Sequence, residues 1–153
     1  MNTKLLSFHT KQFFEVINIT KDVQTFLSEI GAKEGIVNIF AQHTTIALKI
    51  NEDEAGFHND LKRIMSENIA PPGDFYHHND LENRDPATIC PISKEECLNG
   101  HSHIFQMLLG SASESVPVLE GKMQLGTWQQ IFMIELDSGR DRKVLLSFVG
   151  ETR

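Results

Sequence analysis

Residues 115–149 read SVPVLEGKMQLGTWQQIFMIELDSGRDRKVLLSFV. Extended, β-rich runs alternate here with short turn signals. Residues 115–120 and 122–125 flank a tight turn at Glu120-Gly121, 127–137 form a longer run, and Ser138-Gly139 turns the chain into 142–149. Connections this short can join antiparallel neighbours but cannot span the crossover that a parallel pair needs. The stretch therefore predicts a largely antiparallel sheet.

Side-chain parity within 127–137 sharpens the reading. Gln129, Ile131, Met133, Glu135 and Asp137 project to one side; Trp128, Gln130, Phe132, Ile134 and Leu136 project to the other. The second set is the better core face. Glu135 nevertheless shares a side with Ile131 and Met133, so that side is partly covered, and a covered carboxylate needs a partner. Arg140 and Arg142 are the nearest candidates. Two readings stay open: a structural ion pair, or the wall of a polar pocket with Glu135 as a base or an orienting group.

Further toward the N-terminus, residues 4–9 and 13–20 are expected as two strands around the polar turn Thr10-Lys11-Gln12. A helix follows, with Thr20 as cap, Val23, Phe26, Leu27 and Ile30 on one face, and Gly31 as its end. Residues 35–41 form a strand that runs into Gln42-His43-Thr44-Thr45, and 46–50 continue extended. A second helix begins near Asp53, with Phe57, Leu61, Ile64 and Met65 inward and Asp60 close to that face; Pro71-Pro72-Gly73 ends it. Residues 74–100 are irregular, and a connection this long is more often functional than idle. A short helix over 103–109 ends at Gly110. Strands outnumber helices, which gives an α+β class, one domain over 1–153.

Composition sets the outer limits. At 153 residues, 40% hydrophobic and 23% charged, the chain can bury about two-thirds of its unfolded surface without disulfide support. A net charge of −7 argues against nucleic-acid binding, though a local cationic pocket for a small anion remains compatible with it. Cys90 and Cys97 imply no disulfide framework and read as free thiols packed in a loop. No apolar run is long enough for a signal peptide or a membrane span, so the expected location is cytoplasmic.

Seven histidines are the compositional oddity. His9 and His58 read as surface residues. His43 ends a hydrophobic strand, His77 and His78 sit beside carboxylates in the irregular segment, and His101 and His103 straddle the start of the short helix. No local metal motif is present, so the residues alone allow either scattered structural histidines or a site assembled from distant segments. Backbone donors at the start of the short helix, after Gly100, hint at an anion.

Four blocks carry a family resemblance. His43-Thr44-Thr45 with Leu48 and Asn51-Glu52 is the first; Tyr76, His78 and Glu82 the second; Asn99-Gly100-His101-Ser102-His103-Ile104 with Leu109-Gly110 and Ser113 the third. Val116-Pro117-Val118, Gly121-Lys122, Leu125-Gly126-Thr127-Trp128-Gln129, Ile131, Glu135, Asp137 and Arg140 make the fourth. In this order they resemble the YjbQ family from about residue 9 to the end.

The resemblance implies a curved sheet with packed helices, a homotrimer, and an activity like thiamine-phosphate synthase, which joins a pyrimidine diphosphate to a thiazole phosphate. It also implies a site. His43, His78 and His103 would hold a divalent metal, zinc or magnesium, or grip phosphate directly. Glu135, Gln129 and Arg140 would be catalytic; Thr44, Thr45, Asp60 and Glu82 would bind substrate. A metal-dependent hydrolase of a phosphorylated metabolite and a non-catalytic metabolite- or metal-binding trimer are the alternatives. This sequence departs from the pattern over 83–98, which is longer than the linker of many members, and at Ser138-Gly139-Arg140, where many have glycine-proline-arginine. His101 stands at a variable position.

Overall fold

The computed structural model describes residues 1–91, 93–109 and 111–153. Its strands are β1 Asn2–His9, β2 Val16–Asn18, β3 Ala32–Ala41, β4 Ile46–Asn51, β5 Ser113–Leu119, β6 Lys122–Met123, β7 Gln130–Glu135 and β8 Asp141–Thr152. The helices are α1 Thr20–Glu29, α2 Ala55–Ile64 and α3 Gly100–Leu109. Every strand pair is antiparallel. The strands form two hydrogen-bonded groups, in the orders β1-β8-β3-β5-β6 and β2-β7-β4. The result is a curled antiparallel α+β domain, as expected. Gly110, the expected end of α3, lies outside the described residues.

The β7 segment explains the curl. It is shorter than the expected 127–137 and lies between β2 and β4. Every residue from Ile131 to Leu136 is buried. Ile131 and Met133 join a core with α1, β3 and β8, whereas Phe132, Ile134 and Leu136 pack against Phe14, Ala47, Met65 and Phe105. The small sheet thus separates two apolar clusters, and both of its faces are covered. Trp128, expected on the core side, is 73% exposed. Its neighbours form a turn instead of extending the strand: the Gln129 side-chain oxygen accepts from the Gly126 amide at 2.8 Å.

The N-terminal strands do not form a hairpin with each other. β1 lies against β8, with Leu5 opposite Leu145 and His9 opposite Asp141. β2 lies against β7, with Ile17 opposite Met133. The chain changes sheets between them, through Phe14 in a left-handed conformation (φ 59°) whose amide donates to the Glu135 carbonyl at 2.7 Å. A bulky residue there is held by its surroundings, since its own backbone preference opposes it.

α1 buries Val23, Phe26 and Leu27 as its spacing predicts, and Gly31 (φ 63°) follows it. Thr20 does not cap it. Its hydroxyl accepts from the Ile131 amide at 2.8 Å, fixing the helix start to β7. α2 is capped by Glu54, whose carboxylate accepts from the Gly56 and Phe57 amides. Its inner face is offset from the expected one: Ile64 is exposed, and Met65 turns inward at the start of a π-helical turn, Met65–Ile69. β5 and β6 form the expected hairpin, with positive φ at both Glu120 and Gly121, the twist that two-residue hairpins favour. Among the described residues no helix is long and apolar enough to cross a membrane.

Candidate functional site

A cavity of about 750 Å³ opens where the β3–β4 connection, the irregular segment before α3, the start of α3 and the start of β8 meet. His43, Thr44, Thr45, His78, His103 and Arg140 line it, together with Arg84, Asn99 and Arg142. The three histidines therefore face one space from stretches far apart in sequence.

The wall is built on Glu135 and Arg142. Glu135 is fully buried and Arg142 is 3% exposed. Arg142 donates through Nε to Glu135 Oε2 at 2.7 Å and through a terminal nitrogen to Oε1, and that same nitrogen reaches the Thr45 hydroxyl at 3.1 Å. Thr10 donates to Oε2 at 2.6 Å and the Asp137 amide to Oε1 at 2.9 Å. The carboxylate is saturated, so Glu135 holds Arg142 and Thr10 in place and presents no open oxygen as a base. Arg142 is the partner that buried charge requires.

A second chain of contacts starts at Arg140, which pairs with Asp137 at 2.9 Å and Glu96 at 3.6 Å. Asp137 accepts from Asn99 Nδ2 at 2.6 Å, and Asn99 Oδ1 lies 3.1 Å from His78 Nε2. The His78 and His103 rings are 4.4 Å apart between centroids. Burial is the main cause that lowers the pKa of both; Arg84 adds to it at His78, and His78 adds to it at His103. His43 is lowered by burial and then by Arg142. Its Nε2 accepts from the Lys143 amide at 2.8 Å, ending the ladder where β3 leaves β8. The imidazoles are thereby biased toward the neutral form at neutral pH.

Of the other expected site residues, three lie outside the cavity lining. Asp60 is exposed on α2 and pairs with Arg63 at 3.6 Å. Glu82 is exposed. Gln129 is exposed and spends its side-chain oxygen on Gly126. Asn99, Asp137 and Arg84 join the site without a role assigned from sequence: Asn99 and Asp137 stand inside the family blocks, and Arg84 carries no signal in its irregular segment. The α3 start offers less to an anion than expected. The Gly100 amide donates to Asn79 Oδ1 at 3.0 Å, and the Ser102 amide donates to the Asn99 carbonyl. His58, expected at the surface, packs edge-on against Phe132. His101 sits between Phe13, Tyr76 and Phe105. Cys90 and Cys97 are free thiols in the cavity wall.

A three-histidine metal centre does not fit this arrangement. Among the described residues no group of three or more His, Cys, Asp or Glu is placed to share an ion. His78 and His103 are neighbours, whereas His43 uses Nε2 to accept a backbone amide and has only Nδ1 to offer.

Comparison with known proteins agrees with the sequence blocks. The family model described as UPF0047 protein YjbQ-like matches residues 4–151. A UPF0047 protein of Methanothermobacter thermautotrophicus is 36% identical over 149 residues, spanning 97% of this chain and 92% of the relative. YugU of Bacillus subtilis, also a UPF0047 protein, is 30% identical over 147 residues, spanning 96% and 98%. Among solved structures, the hypothetical protein APE1520 from Aeropyrum pernix K1 superposes with a TM-score of 0.83 at 30% identity, over 99% of this chain and 100% of that one. A YbjQ-like protein from Sulfolobus solfataricus P2 gives 0.82 at 30% identity, over 98% and 97%. The chain belongs to the YjbQ/UPF0047 family.

Proposed function

We propose that this chain is a small-molecule enzyme that resembles thiamine-phosphate synthase and binds its phosphorylated substrates in the cavity between the β3–β4 connection and α3. The observation that carries this reading is the convergence of His43, His78 and His103 with Thr44, Thr45 and Arg140 around that one space. In the reaction the thiazole nitrogen forms a bond to the pyrimidine methylene carbon, the carbon–oxygen bond to diphosphate breaks, and its electron pair leaves with the diphosphate. The chemistry needs charge neutralisation at the leaving group more than a strong base. Arg140 and the Thr44 and Thr45 hydroxyls would supply donors, and His103 would place its neutral N–H beside the phosphate oxygens, while His78 gives its own N–H to Asn99. Because the three imidazoles do not fit a shared ion, no step is assigned to a metal.

Purified protein mixed with the pyrimidine diphosphate and the thiazole phosphate should release diphosphate. His103→Ala should lose that turnover while keeping the wild-type far-UV spectrum. A rate unchanged by His103→Ala would assign the activity to a contaminant and sink the reading. A second reading, a metabolite binder without turnover, is favoured by the saturation of Glu135, which removes the buried carboxylate from the list of bases. Binding without turnover across a panel of phosphorylated metabolites would select it.

We also propose the homotrimer that the resemblance implies. Across β1, β8, β3 and β5 the outer face carries Leu5, Leu145 and Phe40 in one row and Val149, Ile36 and Pro117 in another. Leu5, Phe40, Ile36 and Val149 are exposed. The polar row Thr3, Ser147, Asn38 and Ser115 runs between them. Exposed apolar rows of this kind are what self-association covers.

A further inference from the structure

We propose that Arg84 is the residue that reads the charge of the cavity's ligand, gripping a phosphoryl group between its two terminal nitrogens. The inference rests on the phosphorylated-ligand reading and names the residue and contact that would decide it.

Three guanidinium groups line the cavity, but they are not equivalent. Arg142 is neutralised by Glu135, and Arg140 by Asp137 and Glu96. Arg84 forms no ion pair among the described residues; its contacts are with His78 and Thr88 alone. An acidic chain has thus left one cavity arginine without a counter-charge.

The donor count points the same way. A guanidinium has five N–H hydrogens. In Arg84, Nε donates to the Thr88 hydroxyl at 3.0 Å, one terminal nitrogen donates to the Thr88 carbonyl, and the other donates to the His78 carbonyl at 3.2 Å. These three bonds fix the plane of the group. The nitrogen bonded to the His78 carbonyl also lies 3.1 Å from His78 Nε2, yet that ring atom cannot accept from it. Asp137 can only accept, so Asn99 must turn Nδ2 toward it and Oδ1 toward His78. A carbonyl oxygen at that position requires a proton on His78 Nε2. One hydrogen on each terminal nitrogen of Arg84 is therefore left without an acceptor. Two donors side by side on a planar cation match two oxygens of one phosphoryl group.

The test is calorimetric titration of the whole protein with inorganic diphosphate, paired with the arginine Nε–H resonances of the wild type. Arg84→Gln should weaken binding about tenfold or more, the loss expected for charge-assisted hydrogen bonds. Arg84→Lys should recover part of the affinity, since it restores charge without the fork. Arg63→Gln, the same charge change on exposed α2, should alter affinity by less than about twofold because solvent and salt screen it. In the wild type the Arg84 Nε–H resonance should shift as diphosphate saturates. Equal affinity in Arg84→Gln and wild type, or an Arg84 resonance that stays still while diphosphate binds, would overturn the inference and leave the ligand class standing. Equal losses in Arg84→Gln and Arg63→Gln would assign the effect to net charge and overturn it too. Wild-type protein that does not bind diphosphate would remove both the inference and the reading beneath it.

Discussion

The buried pair Glu135 and Arg142 decides what the candidate site can be. Both charges are out of water, and each is satisfied only by the other and by Thr10, Thr45 and the Asp137 amide. Arg142→Met would strand a buried carboxylate, so urea denaturation should show a loss of about 3–5 kcal/mol, the usual cost of breaking a buried pair from one side. The double change Glu135→Leu with Arg142→Met should cost clearly less than the sum of the two single changes. An unchanged midpoint for Arg142→Met would mean that the pair carries no structural weight. The histidines set a pH dependence. His43, His78, His101 and His103 all have lowered pKa values, with burial the largest cause in each. Between those values and the ordinary one near 6.5 the unfolded chain binds more protons than the folded one. Stability should therefore rise with pH through that window and be lost as pH falls below about 6.5. Chemical denaturation at pH 7.5 and pH 5.5 measures the difference, and His101→Phe, which removes one titrating ring from the aromatic cluster, should reduce it.

Among the elements, β7 joins the two apolar clusters. Its six residues pair with strands on both sides and pack against apolar clusters on both faces. Phe132→Ala would empty a site in the cluster shared with Phe14, Phe105 and Met65, at a cost of about 3–5 kcal/mol. Thermal or urea unfolding reads that loss directly; a change smaller than about 1 kcal/mol would mean that the site collapses without a cavity. The helices flanking β7 were legible to different degrees. α1 was readable because Val23, Phe26 and Leu27 fall at helical spacing toward a single core. α2 was only partly so, because the π turn at Met65 changes the rotation per residue and leaves Ile64 outside.

At the scale of the whole molecule, the outer sheet face carries the expectation of a trimer. Ile36→Glu together with Phe40→Glu should convert a trimeric sedimentation profile to a monomeric one, since a charge in an apolar interface is costly. A monomeric wild type would instead leave that face without a self-partner. Chelation should leave diphosphate affinity unchanged, because the three imidazoles do not converge on a common ion; a loss would show that they rearrange around one. The sequence by itself determined the class of fold, the β5–β6 hairpin, the α1 face and the family, because each rests on local periodicity, turn length or a run of adjacent residues; the turn at Ser138-Gly139 instead carries the chain from β7 in one sheet to β8 in the other. It also marked Glu135 as a carboxylate in need of a cation. Only the tertiary structure decided which arginine answers it, that β1 and β2 belong to different sheets, and that β7 is covered on both sides. It likewise decided that Asp60, Glu82 and Gln129 stand away from the cavity while Asn99, Asp137 and Arg84 stand at it or behind it. Parity along a strand says which side a residue faces, but what fills the space on that side comes from segments 38 or 97 residues away, whose arrival no local pattern encodes.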